Sequence, residues 1–199
     1  MAGIIVEGPL EAITPDELRR QFEVNVFGPY ALAQTALPLL KRTHGTIVNI
    51  GAVSAYLTPP FYGPIAASKA ALSSLSDAMR MEFAPFGIRV VLIQPGAMQT
   101  GIFATAKKNR EAMLDRAPEL AARYRPAMQA IEQAFAKSGA SDPTVVVDAV
   151  IAALAGRSSS VVVVGKGTGA FMLLSRLPVG LRDRLIRSAL GVPQALKPL

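Results

Sequence analysis

The chain has 199 residues, 51% of them hydrophobic, which is enough for one domain with its own core and too apolar for a disordered chain. It has no cysteine, which excludes disulfides, thiol nucleophiles and thiolate metal sites and fits a reducing, cytoplasmic compartment. The net charge is +7, but the basic residues are spread out and no aromatic residues interleave with them, so nucleic acid is not the expected partner.

The opening segment, to Ile13, has no clear period and reads as loop. It lacks the basic start and long apolar run of a signal peptide. Thr14-Pro15-Asp16-Glu17 is a helix start: Thr14 can cap, Pro15 suits the first helical position, and Glu17 completes a capping box. The pattern predicts a helix over 14–41, with a possible break at Gly28-Pro29 or Pro38, ended by His44-Gly45. Glu7, Glu11, Asp16, Glu17 and Glu23 read as solvated or helix-start charges.

Thr46 to Ile50 is a short β-branched run, expected to be a buried strand. A loop over 54–62 leads to a helix over 64–83, stopped by Pro85-Phe86-Gly87. Arg89 to Ile93 is a second buried strand, turned by Pro95-Gly96. Residues 97–140 are polar, Ala-rich and Met-containing, expected to be partly helical and partly mobile. Asp142-Pro143 starts a helix ending near Gly156, and Val161 to Val164 is a third strand. Residues 170–190 read as a basic amphipathic helix or helix pair, more suited to packing on a core than to a membrane surface. The apolar stretch from Val145 to Val164 is broken by Asp148 and Arg157 and does not read as a membrane span. Continuous apolar strands alternating with helices imply an α/β fold with a parallel sheet of three to four strands.

Five ordered motifs then align. Asn25-Val26-Phe27-Gly28 lies on the first long helix, and Gly45 to Ile50 forms a strand. Ala66-Ala67-Ser68-Lys69-Ala70-Ala71-Leu72 follows, then Gly87-Ile88-Arg89-Val90, then Pro95-Gly96-Ala97-Met98-Gln99-Thr100. Together with Met1-Ala2-Gly3 they resemble the short-chain dehydrogenase/reductase family over most of the chain, less closely after about residue 100. The later segments resemble the subgroup handling steroids, retinoids and other lipophilic alcohols. The resemblance implies a Rossmann-like, doubly wound sheet, of which this chain carries the later part as one domain over 1–199. Residues 97–140 would be the substrate loop and 170–199 a helical tail. It also implies NAD or NADP as cofactor, with Ala2, Gly3, Ile50, Lys69, Pro95, Gly96, Met98 and Thr100 at cofactor-facing positions. Asn25 and Lys69 match the family's catalytic asparagine and lysine.

The departures are specific. The family pattern is Tyr-x-x-x-Lys on one helix, where residues four apart share a face and lysine lowers the tyrosine pKa. Four residues before Lys69 stands Ile65, and Ala52 occupies the serine position. Tyr62 and Ser54 are the nearest hydroxyls, but Tyr62 stands seven residues before Lys69, roughly 10 Å along a helix. The glycine-rich turn that seats a pyrophosphate at a helix N-terminus is absent, and Gly165 to Gly169 reads as a flexible turn. With one histidine, His44 in a helix-end turn, no transition-metal site has ligand support.

Three functions remain open: a catalytically inactive member acting in binding or hetero-oligomerisation, an active oxidoreductase on a lipophilic alcohol or ketone whose front half is missing here, and a small-molecule binder without turnover. The resemblance places a subunit interface on the helices over 14–41 and 64–83, for pairing with a second copy or a homologue. Weak NAD(P) binding is expected.

Overall fold

A computed structural model describes residues 3–192. Thr14 caps the first helix, α1 (Pro15–Phe22): its side chain accepts from the Glu17 N–H, and the Glu17 carboxylate accepts from the Thr14 N–H, the reciprocal box expected from the sequence. The chain then takes one π-helical turn, Glu23–Phe27, before α2 (Gly28–Thr43). The long helix is therefore interrupted five residues earlier than Gly28-Pro29 would suggest, while Pro38 sits inside α2 without ending it. His44 closes α2 in the left-handed conformation, φ 49°, and its Nδ1 donates to the Phe86 carbonyl at 3.1 Å.

Three strands follow: β1 (Thr46–Ile50), β2 (Arg89–Pro95) and β3 (Val161–Val164). They pair in that order and in parallel, Thr46 opposite Arg89 and Leu92 opposite Val161. Between β1 and β2 runs α3 (Gly63–Phe83). Between β2 and β3 come α4 (Ile102–Asp115), α5 (Pro118–Ser138) and α6 (Thr144–Leu154). After β3 come α7 (Thr168–Ser175) and α8 (Val179–Ala189), the expected helix pair. The remainder of the predicted tail, 193–199, lies outside the described residues, as do Met1 and Ala2.

Alternate side chains of a strand face opposite sides, so the sheet builds two cores. Val91 and Ile93 of β2, with Val48 and Ile50 of β1, pack on Val146, Ala149 and Ala153 of α6. Val90 and Ile47 point the other way, onto Ala33 of α2 and Leu75, Met79 and Phe83 of α3. Ile93 is wholly buried, which stabilises the fold by about 1.5–3 kcal/mol. Among the described residues no strand pairs with the outer edge of β1.

Four expectations are corrected. The second strand runs two residues further than Ile93: Pro95 is in register with Val164, and the pairing there is closed by the Gly96 N–H donating to the Val164 carbonyl, so the missing proline N–H is not called on. Residues 97–140 are two full helices rather than a mixed segment, joined at their base by a Met98–Ser141 bridge. Asp142 does not occupy the cap position itself: α6 begins at Thr144, whose N–H donates to the Asp142 carboxylate at 2.8 Å. Glu7 is no surface charge, being only 5% exposed.

Candidate functional site

The C-terminal ends of β1 and β2, where open α/β sheets bind ligands, meet the N-terminal half of α3. Asn25 reaches this region from the π-helical turn and is 2% exposed. Its Oδ1 accepts from the Ile4 N–H and its Nδ2 donates to the Ile4 carbonyl, both at 3.0 Å. One turn earlier on the same helix face, Gln21 accepts from the Val6 N–H at 2.7 Å and donates to the Ile4 carbonyl at 3.0 Å. Both amides also face Ser68 Oγ, which itself donates to the Ile65 carbonyl at 2.8 Å. Two buried amides thus hold the extended segment over 4–6 as a sheet neighbour would, and tie it to α3. Asn25 was legible in the sequence. Gln21 and Ser68 were not, although Gln21 stands four residues before Asn25 and faces the same way.

Lys69 extends from α3 to the end of β1, where its Nζ donates to the Ile50 carbonyl at 2.7 Å. Burial pushes its pKa down from 10.5 to about 8, with no charged neighbour contributing. Four residues earlier, Ile65 is 7% exposed and presents only hydrocarbon where a phenol would stand beside that amine. Ala52, in extended backbone just past β1, is half-buried and also offers no hydroxyl. Ser54 lies two residues on, within a single 3-10 turn, Val53–Ala55.

Tyr62 is held elsewhere. It stands at the N-terminus of α3, stacked edge-on against Phe135 of α5 with ring centroids 5.5 Å apart. Its hydroxyl faces Glu7, and burial, reinforced by that carboxylate, pushes its pKa well above the usual phenol range. A phenol held neutral is a poor proton carrier. Glu7 in turn pairs with Arg110 of α4 at 2.6 Å, both side chains buried. Burial raises the Glu7 pKa against the pull of Arg110. Arg110 also reaches Glu111 and Glu132, and around this network Met113, Leu114, Ala121 and Met128 pack on Ala12, Ile13, Phe61 and Tyr124. The α4–α5 hairpin is thereby fastened over the N-terminal segment. Nothing local in the sequence points to this pair, because Arg110 and Glu7 lie 103 residues apart.

At the end of β2, the Gly96 N–H donates to the Val164 carbonyl at 2.9 Å, and Met98 sits beside Ser141 while Thr100 is exposed. Gly3 is exposed near Asn25, and Ala2 lies outside the described residues. By the family resemblance these are the positions that would face a dinucleotide. No Gly-x-x-x-Gly-x-Gly occurs in the sequence to seat its pyrophosphate. The Gly165–Gly169 cluster, which connects β3 to α7, does not replace it: the Lys166 N–H is already taken by Ser141 Oγ at 2.8 Å. The residues present therefore include no turn that fits the pyrophosphate. Among the described residues no cluster of metal-ligating side chains occurs, and no helix is long and apolar enough to cross a membrane.

The "short chain dehydrogenase" family model matches residues 1–111, more than half of the chain. Over 111 residues the chain is 38% identical to an NADPH-dependent 3-dehydrocapnine reductase of Ornithobacterium rhinotracheale, a match spanning 53% of this chain and 39% of that protein. Over 193 residues it is 33% identical to human 11-beta-hydroxysteroid dehydrogenase type 2, covering 90% of this chain and 48% of the relative. The chain thus spans half or less of the length of these curated relatives. A short-chain dehydrogenase from Burkholderia cenocepacia, crystallised with NADP, superposes with a TM-score of 0.67 at 27% identity, covering 92% of this chain and 65% of that one.

Proposed function

The chain belongs to the short-chain dehydrogenase/reductase family, and on that footing we propose that it is a member without hydride-transfer chemistry, acting as a binding or assembly module. The observation that supports this is Ile65. Reduction of a ketone or oxidation of an alcohol needs a proton delivered to, or taken from, the substrate oxygen as hydride moves. In the family that proton passes through a tyrosine one helical turn before the lysine. Here that position is buried hydrocarbon. Ala52 removes the hydroxyl that would orient the same oxygen. Tyr62 is a weak substitute, since its hydroxyl is engaged with Glu7 and its pKa is raised.

NAD or NADP is the cofactor class that the family uses, and this chain is proposed to bind it weakly, for want of a glycine-rich turn. The exposed side chains Phe27, Leu32 and Leu39 around α2, and Met81 of α3, support assembly with a second copy or a homologue through those helices. The test is a turnover assay of the purified chain on lipophilic alcohols and ketones with both nicotinamide cofactors. No turnover is expected. Turnover that Tyr62→Phe abolishes would replace this reading with an active oxidoreductase using Tyr62 as surrogate acid.

A further inference from the structure

The helix pair after β3 packs less on the core than its apolar residues lead one to expect. α7 carries Phe171, Met172, Leu173 and Leu174 and buries none of them, and Leu173 is 68% exposed. α8 buries only Ile186, while Val179, Leu181 and Leu185 stay open to solvent. Apolar side chains gathered in this way mark a contact face. The charges among them say what kind. Arg176 ends α7, and Arg182, Arg184 and Arg187 follow on α8, with Asp183 the single acidic residue over 166–192. Arg182 pairs with Asp183 at 3.2 Å, and among the described residues no ion pair forms at Arg176, Arg184 or Arg187. Leu181 and Leu185 stand one turn apart on α8, and the three-residue spacing brings Arg184 beside Leu181 and Arg182 beside Leu185. The leucine pair is thus bordered by arginine on both sides. Arginine stems lie along such a surface while the guanidinium stays at its rim.

We propose that α7 and α8 dock on an anionic lipid surface, with the leucines at the acyl boundary and the arginines among the headgroup phosphates. A bilayer interface takes apolar side chains and cations side by side, at slightly different depths. Protruding leucines rimmed by arginine match that profile. A nucleic acid would engage the arginines and leave the leucines in water. An apolar cleft on another protein would take the leucines and leave the arginines unmatched. With 8 and 11 residues, neither helix is long enough to cross the bilayer, so both lie in the plane of the interface. The contact area is small and the binding is reversible, dependent on the lipid's negative charge.

The experiment floats the full chain with vesicles of phosphatidylcholine alone, and with vesicles that also contain phosphatidylserine, at low and at physiological salt. The chain is expected to float with the mixed vesicles and not with phosphatidylcholine alone, and to bind less as salt rises. Arg184→Gln with Arg187→Gln should lower the partition onto mixed vesicles by roughly 10- to 30-fold. Leu173→Ser with Leu181→Ser should lower it by about tenfold or more, without changing the melting temperature, since both side chains are exposed. Arg42→Gln with Arg157→Gln removes the same charge from exposed sites shortly before β1 and β3 begin, whereas α7 follows the far end of β3. That control should lower binding by less than about threefold. No flotation with mixed vesicles overturns the proposal. So does a control pair that loses as much binding as the α8 pair, which would assign the effect to net charge alone. A dimer that the leucine variant dissolves, in a protein that ignores vesicles, would assign this face to a second copy instead.

Discussion

Replacing Lys69 with methionine should make this protein more stable at neutral pH and less stable in alkali. The amine's pKa falls from 10.5 to about 8 on folding, so the charged form is disfavoured inside by ~3 kcal/mol. Methionine keeps the length and removes the charge. Residual solvent contact reduces the benefit, and the Ile50 carbonyl loses its donor at a cost of about 1 kcal/mol. The net gain at pH 7 is therefore ~1–2 kcal/mol, a rise of roughly 2–8 °C in Tm for a chain of this size. The sign with pH follows from linkage. The unfolded lysine holds its proton up to 10.5 and the folded one releases it near 8, so wild-type stability rises with pH across that window. The variant has no such term, so the two curves converge from about pH 8 and cross before about pH 10.5. Urea melts of both proteins at several pH values measure this. A variant less stable than wild type at neutral pH, or a difference that does not change between neutral pH and alkali, would refute the picture of Lys69 as a strained buried amine.

Glu7→Gln should cost about 1–3 kcal/mol by removing the nearest carboxylate of the buried Arg110, which keeps Glu111 and Glu132 at 3.3 and 3.4 Å, whereas a joint Glu7→Leu, Arg110→Met exchange should cost less; urea titration of the single and double variants checks both. Hydrogen exchange of Glu7→Gln should show the α4–α5 helices losing protection before the sheet does, because those helices are fastened through that pair. Gly87→Ala should lower the Tm by several degrees, since Gly87 has φ +71° and a Cβ there would meet the His44 imidazole; a thermal melt within about a degree of wild type would contradict this. Light scattering should find a species larger than a monomer, because among the described residues no strand covers the outer edge of β1 and α2 exposes Leu32 and Leu39; a stable, dispersed monomer would count against that need for a partner.

The local grammar of the sequence carried much of the fold. Thr14, Pro15 and Glu17 announced a capping box, and it formed, because its parts lie within four residues. Thr46–Ile50 and Val161–Val164 were readable as strands, since buried parallel strands are continuous β-branched runs. The proline at 95 misled, because the pairing beside it is made by the Gly96 N–H to the Val164 carbonyl and does not call on the missing proline N–H. The π-helical turn at Glu23–Phe27 left no trace in the apolar period. The same holds more strongly for Glu7 and Arg110. Each looks like a surface charge among its own neighbours, and only the folded chain brings them to 2.6 Å. At the site, the spacing of Ile65 and Lys69 was legible in advance because they lie one turn apart on α3, whereas Asn25 lies on another helix. The engagement of Tyr62 with Glu7 was not, because it depends on how the opening segment crosses α3.

The proposed loss of hydride transfer rests on the missing proton path at Ile65. The most direct measurement incubates the protein with a lipophilic ketone and NADPH deuterated at the transferable nicotinamide position, and looks for deuterium on the product carbon by mass spectrometry. No deuterated alcohol above a protein-free control is expected. Deuterated product that forms with wild type and disappears in Tyr62→Phe would contradict the proposed loss.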